Sequence, residues 1–203
     1  MIKASEALQR LRDGNQRFVS GVLSVDVMQS HARRDQLALG QEPFAIILGC
    51  SDSRVPAEIV FDQGLGDLFV IRVAGNIVAP SQIGSIEFAA EQFKTRLVVV
   101  LGHTQCGAVN ATLEEMKRPK GEQSKNIRSI VERIRPSIEP FVTTELWHQK
   151  DELMKQATRA NVSASVSQLC HGSEILENLI AREELVIVGA EYSLETGEVV
   201  FFE

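Results

Sequence analysis

Short, uninterrupted apolar runs alternate along the chain with segments of helical periodicity. Four of these runs predict buried strands, and they occupy residues 42–50, 67–75, 96–103 and 184–192. Runs of this length are typical of strands covered on both faces, as in a parallel sheet. Residues 193–203 contain a Thr-Gly turn followed by apolar positions, which predicts an antiparallel strand at the edge of the sheet.

The segments between the runs carry apolar residues at helical spacing. Helices are predicted at 4–19, 81–93, 106–117 and over most of 127–182, where Pro136 and Pro140 are expected to interrupt them. A weaker helix is predicted near 27–39, and a surface loop at 118–126. The alternation indicates an α/β fold with a mainly parallel central sheet of about four strands plus an antiparallel C-terminal edge strand, flanked by helices. Residues 1–203 are expected to form one domain, with residues 1–40 as an N-terminal helical arm.

Composition and charge narrow the possible partners. The 203 residues carry a formal net charge of −6 and are 44% hydrophobic. A mildly acidic chain is unsuited to nucleic acid or to an anionic membrane surface, which both attract basic faces. No apolar run approaches the roughly 20 residues that span a bilayer, and residues 1–18 lack the apolar segment of a secretory signal. A cytoplasmic protein is therefore expected, with neither nucleic acid nor membrane as partner.

Cysteine and histidine follow two of the buried strands. The apolar runs before Cys50 and His103 both end in Leu-Gly, and Cys106 comes three residues after His103. Ligands bind at the carboxyl ends of parallel strands, so these three side chains converge if the two strands are neighbours. Two thiols and one imidazole suit zinc with one open coordination position. Either cysteine alone would more often be a small buried apolar residue; the joint pattern favours a metal site.

A carboxylate and a guanidinium follow Cys50 at alternate positions. Asp52 could accept a hydrogen bond from a water on the zinc, whose pKa the metal lowers towards ~7. Arg54 could pair with Asp52 and keep it ionised. The alternative is a plain salt bridge that closes the strand end. Cys170 completes an odd, sparse set of three cysteines, which is not a disulfide framework.

The blocks CSDSR (50–54) and HTQC (103–106) together resemble the β-class carbonic anhydrases, which carry Cys-x-Asp-x-Arg and His-x-x-Cys motifs. The resemblance covers nearly the whole chain and includes LRDGNQRFVSG near the start, FVIRVAGN (69–76), GSIEFA (84–89) and IVGAEYSLETGEV (187–199). It implies reversible hydration of CO2 to bicarbonate and a proton through attack by zinc-bound hydroxide. One zinc per chain would be held by Cys50, His103 and Cys106.

The resemblance also implies roles for residues around the metal. Asp52 and Arg54 would form the catalytic dyad, and in an inactive state Asp52 would leave Arg54 to become a fourth zinc ligand. Phe69 and Phe88 would line the CO2 pocket. Two further substrate-site residues would be Gln41, reaching across a subunit interface, and Gly107, shaping the backbone beneath the site. A homodimer or a dimer of dimers is expected, with the arm at 1–40 packed on the partner.

Members regulated by bicarbonate use a Trp-Arg-Tyr pocket; Ile47 stands at the Trp position here, while Arg72 is kept, so that pocket is incomplete.

Carbonyl sulfide and carbon disulfide hydrolases share the scaffold and zinc ligands, and they are the first alternative. A non-catalytic zinc or redox module using Cys50, Cys106 and Cys170 is the second.

Overall fold

The computed structural model describes residues 2–22, 24, 34–35, 37–117 and 124–202. Within them, five strands form one sheet in the order β2-β1-β3-β4-β5. The strands are β1 (Ala45–Gly49), β2 (Leu68–Arg72), β3 (Leu97–His103), β4 (Val186–Tyr192) and β5 (Val199–Phe201). The first four are parallel, and β5 runs antiparallel to β4. The predicted fold is therefore confirmed.

Seven α-helices connect and cover these strands in the described part of the chain. They are α1 (Ala4–Ser20), α2 (Ala57–Val60), α3 (Pro80–Gln92), α4 (Gly107–Lys117), α5 (Lys125–Ile138), α6 (Lys150–His171) and α7 (Glu174–Ala181), with 3₁₀ turns at Ala74–Asn76, Glu139–Thr143 and Glu145–His148. None of the described helices is long and apolar enough to cross a membrane.

The structure differs from the helix prediction at Pro136. Pro136 was expected to interrupt a helix, but it lies inside α5. It occupies the last turn of that helix, where the missing N–H removes one hydrogen bond close to an end that frays in any case. Most of the helix predicted near 27–39 and residues 118–123 of the predicted loop lie outside the described residues.

Both faces of the sheet are covered, which explains the unbroken apolar runs. All residues of β1 and β3 are buried. On one face, Ile47 and Val99 pack in a cluster with Leu11 of α1. On the other, Ile46 and Val98 pack with residues of α3 and α6. Because successive strand residues point to opposite faces, β1 and β3 need apolar residues on both faces, and the polar His103 comes only at the last position of β3.

Helix α1 packs against the sheet of its own chain. The side-chain nitrogen of Asn15 donates to the carbonyl oxygens of Val60, at 3.1 Å, and Gly197, at 2.9 Å. The side-chain oxygen of Asn15 accepts the N–H of Val199 at 2.8 Å. This part of the N-terminal arm is thus tied to the β5 side of the fold. Packing of the arm on a partner subunit remains a prediction.

Candidate metal centre

The carboxyl ends of β1 and β3 meet at one edge of the sheet. The two strands are neighbours, with Gly49 in register with Leu101. Cys50 directly follows β1, and His103 is the last residue of β3. The ligand atoms of Cys50, His103 and Cys106 all lie within 4.8 Å of one another, and all three residues are buried. The convergence expected from the strand ends is present.

Local hydrogen bonding orients the His103 ring towards this cluster. Its Nδ1 lies 2.8 Å from the carbonyl oxygen of Thr104. A carbonyl oxygen can only accept, so Nδ1 carries the proton and Nε2 presents a lone pair. His103 is fully buried, and its Nε2 has no hydrogen-bond partner in the described part of the chain. A buried nitrogen with a free lone pair, facing two sulfurs, fits a metal ligand.

Main-chain N–H groups of different elements act on the two sulfurs. The Cys50 sulfur accepts the N–H of Gly75 at 3.4 Å. Cys106 comes directly before α4, and the N–H groups of Val109 and Ala108 in the first turn of that helix act to lower the pKa of its thiol. Such donors favour the thiolate form that a metal requires. Gln105 makes the turn between His103 and Cys106 possible by adopting a left-handed backbone, with φ of 56°.

The two thiols also interact with each other. A hydrogen bond from Cys106 is the main cause that lowers the pKa of Cys50 to about 4. The same hydrogen bond, together with burial, raises the pKa of Cys106 above its usual range. The two thiols therefore retain one proton between them. A divalent cation that binds both sulfurs would displace this proton into solution.

Asp52 and Arg54 form a bidentate ion pair beside the cluster. Nε and Nη2 of Arg54 donate to Oδ1 and Oδ2 of Asp52 at 2.9 Å and 2.8 Å, and the Arg54 main-chain N–H donates to Oδ1 at 3.0 Å. The Arg54 hydrogen bonds hold the pKa of Asp52 well below its usual range. Asp52 is thus an ionised acceptor. Its Oδ2 lies 3.9 Å from the His103 Nε2 atom, so the carboxylate borders the place where the ligand atoms converge.

Arg72, at the end of β2, braces the loop that carries Cys50 and Asp52. Its Nε donates to the Cys50 carbonyl at 2.9 Å, and its Nη2 donates to the Asp52 carbonyl at 2.5 Å. Sequence reasoning considered Arg72 only as part of a bicarbonate pocket. In the structure its guanidinium is engaged with the main chain, and Ile47 is fully buried in the core. The sequence feature that could have indicated this bracing role is an arginine placed directly at the end of an apolar strand.

Gly102 allows α6 to approach the end of β3. A Cβ atom at this position would lie 2.4 Å from a methyl carbon of Val162. Glycine is therefore required here by close packing. Gly49, at the matching position of β1, has more room, because a Cβ there would meet nothing nearer than 3.9 Å.

Comparison with known proteins places this centre in a family. A sequence profile described as carbonic anhydrase matches residues 45–199. Carbonic anhydrase 2 of Mycobacterium tuberculosis is 41% identical over 199 residues, which is 96% of this chain and 90% of the relative. The chain belongs to the β-carbonic anhydrase family. The predicted class of enzyme, a carbonate dehydratase, is confirmed by this membership. A carbonic anhydrase of Mycolicibacterium smegmatis is 43% identical and spans 95% of this chain and 90% of its own.

Solved β-carbonic anhydrases share the fold. The β-carbonic anhydrase CafA of Aspergillus fumigatus superposes with a TM-score of 0.75 at 26% identity, covering 84% of this chain and 80% of that one. The Coccomyxa β-carbonic anhydrase in complex with acetazolamide gives a TM-score of 0.72 at 26% identity, covering 82% and 74%.

Three of the four residues that the β-carbonic anhydrase resemblance assigns to substrate lie away from the cluster within one chain, whereas the fourth, Gly107, directly follows Cys106. Phe69 precedes Arg72 by three residues on β2, about 10 Å along the strand from its carboxyl end. Gln41 is exposed and precedes the amino end of β1. Phe88 is 54% exposed and contacts Phe69, with ring centroids 6.3 Å apart. Gly107 begins α4, and a Cβ there would meet no described atom within 4 Å.

Cys170 lies far along the chain from the metal cluster and is not part of it. It is half-buried near the end of α6. With Phe202 it lines an open groove of about 400 Å³ between α6 and β4. The described residues therefore give no support to the alternative in which all three cysteines act together.

Proposed function

We propose that this chain hydrates CO2 reversibly to bicarbonate and a proton, with one zinc ion held by Cys50, His103 and Cys106. The observation that carries the proposal is the convergence of these three buried ligands within 4.8 Å, beside the paired Asp52 and Arg54. The donor set supports zinc. Two thiolates and an imidazole match its preferences, while magnesium and calcium prefer oxygen.

A zinc ion held by these three residues would keep one coordination position open for the reaction. When bound there, zinc would supply a Lewis acid that makes a water molecule nucleophilic near neutral pH. The chain holds its ligands in place before any substrate arrives. His103 is oriented by the Thr104 carbonyl, and Cys50 by the Gly75 N–H. Preorganised ligands need little rearrangement during turnover.

Asp52 would orient the nucleophile. Its low pKa keeps the carboxylate ionised at neutral pH, so it accepts a hydrogen bond and does not donate a proton. Arg54 Nη2 donates to Oδ2, and this oxygen can accept a second hydrogen bond, from the attacking water. The oxygen that borders His103 is the same Oδ2. Arg54 thus fixes the direction in which Asp52 accepts.

A second position of Asp52 belongs to this proposal. If Asp52 left Arg54, its carboxylate could bind the metal as a fourth ligand and exclude the reacting water. The structure has Asp52 on Arg54. Crystal structures of the zinc-loaded protein below and above neutral pH test the switch, which predicts Asp52 on the metal only in the acidic crystals.

The substrate pocket is proposed to form between two subunits. β2 is a terminal strand of the sheet, and its outer edge pairs with no strand among the described residues. Beside it, Phe69, Phe88 and Phe93 form an aromatic cluster that is partly exposed. A twofold axis perpendicular to the strands at this edge would make the two β2 strands antiparallel. The amino ends of one sheet would then lie beside the carboxyl ends of the other. Gln41, Phe69 and Phe88 would then serve the partner's metal site.

Stopped-flow measurement of CO2 hydration tests the proposed reaction. The zinc-loaded wild type is expected to be active, and Asp52→Asn to lose at least about 100-fold in kcat/KM at equal zinc content, since general acid–base and orienting groups contribute about that much. Carbonyl sulfide is assayed alongside to separate the hydrolase alternative. An Asp52→Asn protein with unchanged activity, or a wild type that turns over carbonyl sulfide and not CO2, would contradict the proposal.

Mixed subunits test whether Gln41 acts across the interface. Asp52→Asn and Gln41→Ala chains are co-expressed with different affinity tags, and the hybrid dimer is isolated. If Gln41 serves the partner's site, each hybrid has one site with both residues intact and recovers up to half the wild-type activity. If Gln41 serves its own site, both sites of the hybrid are damaged and no activity returns.

A further inference from the structure

Three polar side chains are buried on the inner face of α6. Thr158, Asn161 and Ser165 are exposed by only 2%, 2% and 5%. A polar group on a core-facing helix is costly unless it is hydrogen-bonded. Thr158 bonds its own helix, at the Met154 carbonyl. Asn161 and Ser165 instead bond a turn that lies 86 and 89 positions away in sequence.

This turn follows β2 and reaches the metal cluster. Asn161 Nδ2 donates to the Gly75 carbonyl at 2.8 Å, and Ser165 Oγ donates to the Asn76 carbonyl at 3.0 Å. Both Gly75 and Asn76 have left-handed backbones, with φ of 70° and 43°. The N–H of Gly75 points at the Cys50 sulfur, 3.4 Å away.

The position of that N–H depends on how the turn is held. Gly75 is tightly enclosed, since a Cβ there would lie 2.7 Å from a methyl carbon of Ile134. The next residue, Asn76, has a left-handed backbone that costs free energy in a non-glycine residue and persists only with support from its surroundings, and the Gly75 carbonyl is held by Asn161. The Gly75 N–H and carbonyl belong to the two planar peptide groups that flank its Cα, so a change of φ or ψ reorients one relative to the other. With the carbonyl held by Asn161 and the Cα enclosed by Ile134, the turn has little freedom to redirect the N–H away from the sulfur.

We propose that Asn161 is a positioning residue for the metal site, acting through Gly75 on the Cys50 sulfur. This inference rests on the proposed function, because it takes Cys50 to be a zinc ligand. A hydrogen bond to a ligating atom fixes its direction and moderates its charge, and loss of such a partner typically lowers metal affinity about 10- to 100-fold. A purely structural Asn161 would change the stability of the fold without a specific effect on the metal.

The test compares Asn161→Leu with Thr158→Val in the zinc-loaded full chain. Both remove a buried polar group from the same face of α6 at similar volume, but the side chain of Asn161 hydrogen-bonds the turn whereas that of Thr158 hydrogen-bonds its own helix. Zinc transfer to an excess of a chromogenic chelator gives the release rate, measured well below the unfolding temperature. Asn161→Leu is expected to release zinc at least about 10-fold faster than wild type, and Thr158→Val within about twofold. Cobalt-substituted Asn161→Leu should also show a shifted thiolate-to-cobalt absorption band.

The outcomes separate this inference from the proposed function. A wild type that retains one zinc per chain, with equal release rates in both variants and an unshifted cobalt band, overturns the role of Asn161 and leaves the proposed function standing. A wild type that binds no zinc overturns both. If Asn161→Leu does not fold, Asn161→Ser replaces it. The serine hydroxyl is too short to reach the Gly75 carbonyl from the same backbone position, so the same criteria apply.

Discussion

A methyl group added at residue 102 tests how α6 supports the strand end that carries His103. In Gly102→Ala the new Cβ would lie 2.4 Å from a Val162 methyl carbon, whereas its next neighbour, a Thr158 methyl carbon, is 3.6 Å away. Carbon atoms pack favourably at about 3.5–4.0 Å. Val162 is fully buried, so relief requires α6 or the end of β3 to move by about 1 Å.

The expected cost follows from two opposing effects. Forcing an extra methyl into a packed core costs about 1–3 kcal/mol. Replacing glycine by alanine in a strand returns about 0.5–1 kcal/mol through the unfolded chain. An approach of 2.4 Å between two carbons puts the packing cost in the upper part of its range, about 2–3 kcal/mol. The net loss is then about 1–2.5 kcal/mol, or a fall of roughly 2–10 °C in Tm for a chain of this size. Because His103 directly follows residue 102, zinc should also be released faster.

This cost is measured by thermal and urea unfolding of three variants, Gly102→Ala, Val162→Ala and the double variant. Val162→Ala removes two buried methyl groups and should itself cost about 1.5–2.5 kcal/mol. The double variant should lose less than the sum of the two by at least about 1 kcal/mol, because the added methyl fills the space that Val162 leaves. Additive losses, or a Gly102→Ala protein as stable as wild type, would refute the packing argument.

Three further predictions follow from individual contacts. Arg72→Met removes both donors to the Cys50 and Asp52 carbonyls and should lower kcat/KM for CO2 about 10-fold while costing only about 1 kcal/mol of stability; unchanged turnover in a stopped-flow assay would argue against a bracing role. Burial acts to raise the pKa of Asp62, but hydrogen bonds from Arg17 and Ser24 together lower it, so Asp62 stabilises the fold above its unfolded pKa and loses this effect as pH falls through its folded pKa. The stability difference between wild type and Asp62→Asn should therefore shrink from pH 7 to pH 3 in urea titrations, and a difference independent of pH would contradict this. Cys170→Ala should keep one zinc per chain by elemental analysis, since Cys170 lies outside the cluster; loss of zinc would count against the assigned ligands.

The sheet and the candidate metal ligands could be predicted from sequence because each depends largely on local pattern. β1 and β3 are covered on both faces, so they appear as unbroken apolar runs. Cys50 and His103 stand at the ends of those runs, and parallel strands bring their carboxyl ends together. The pairing of Asp52 with Arg54 needs only two residues of separation. The one inference that joined distant parts of the chain was that β1 and β3 are neighbours, and their pairing bears it out.

The supporting contacts could not be predicted because they join distant segments through main-chain groups. Asn161 reaches the Gly75 carbonyl across 86 positions, and a carbonyl or N–H leaves no signature in residue type. The polar residues at 158, 161 and 165 would ordinarily indicate an exposed helix face, yet they are buried. The reverse holds for Phe88, which has the helical spacing of a core residue but is 54% exposed. A surface that contacts a second chain has the same apolar pattern as a core.

The central claim is that Cys50, His103 and Cys106 hold a catalytic zinc. It is tested most directly by titrating the metal-stripped chain with zinc while CO2 hydration is measured in the same samples. If Cys50, His103 and Cys106 form the catalytic centre, the stripped protein is inactive, activity rises linearly with added zinc, and the rise stops at one zinc per chain. Activity that persists without zinc, or a chain that binds one zinc per subunit and still does not hydrate CO2, would contradict the account.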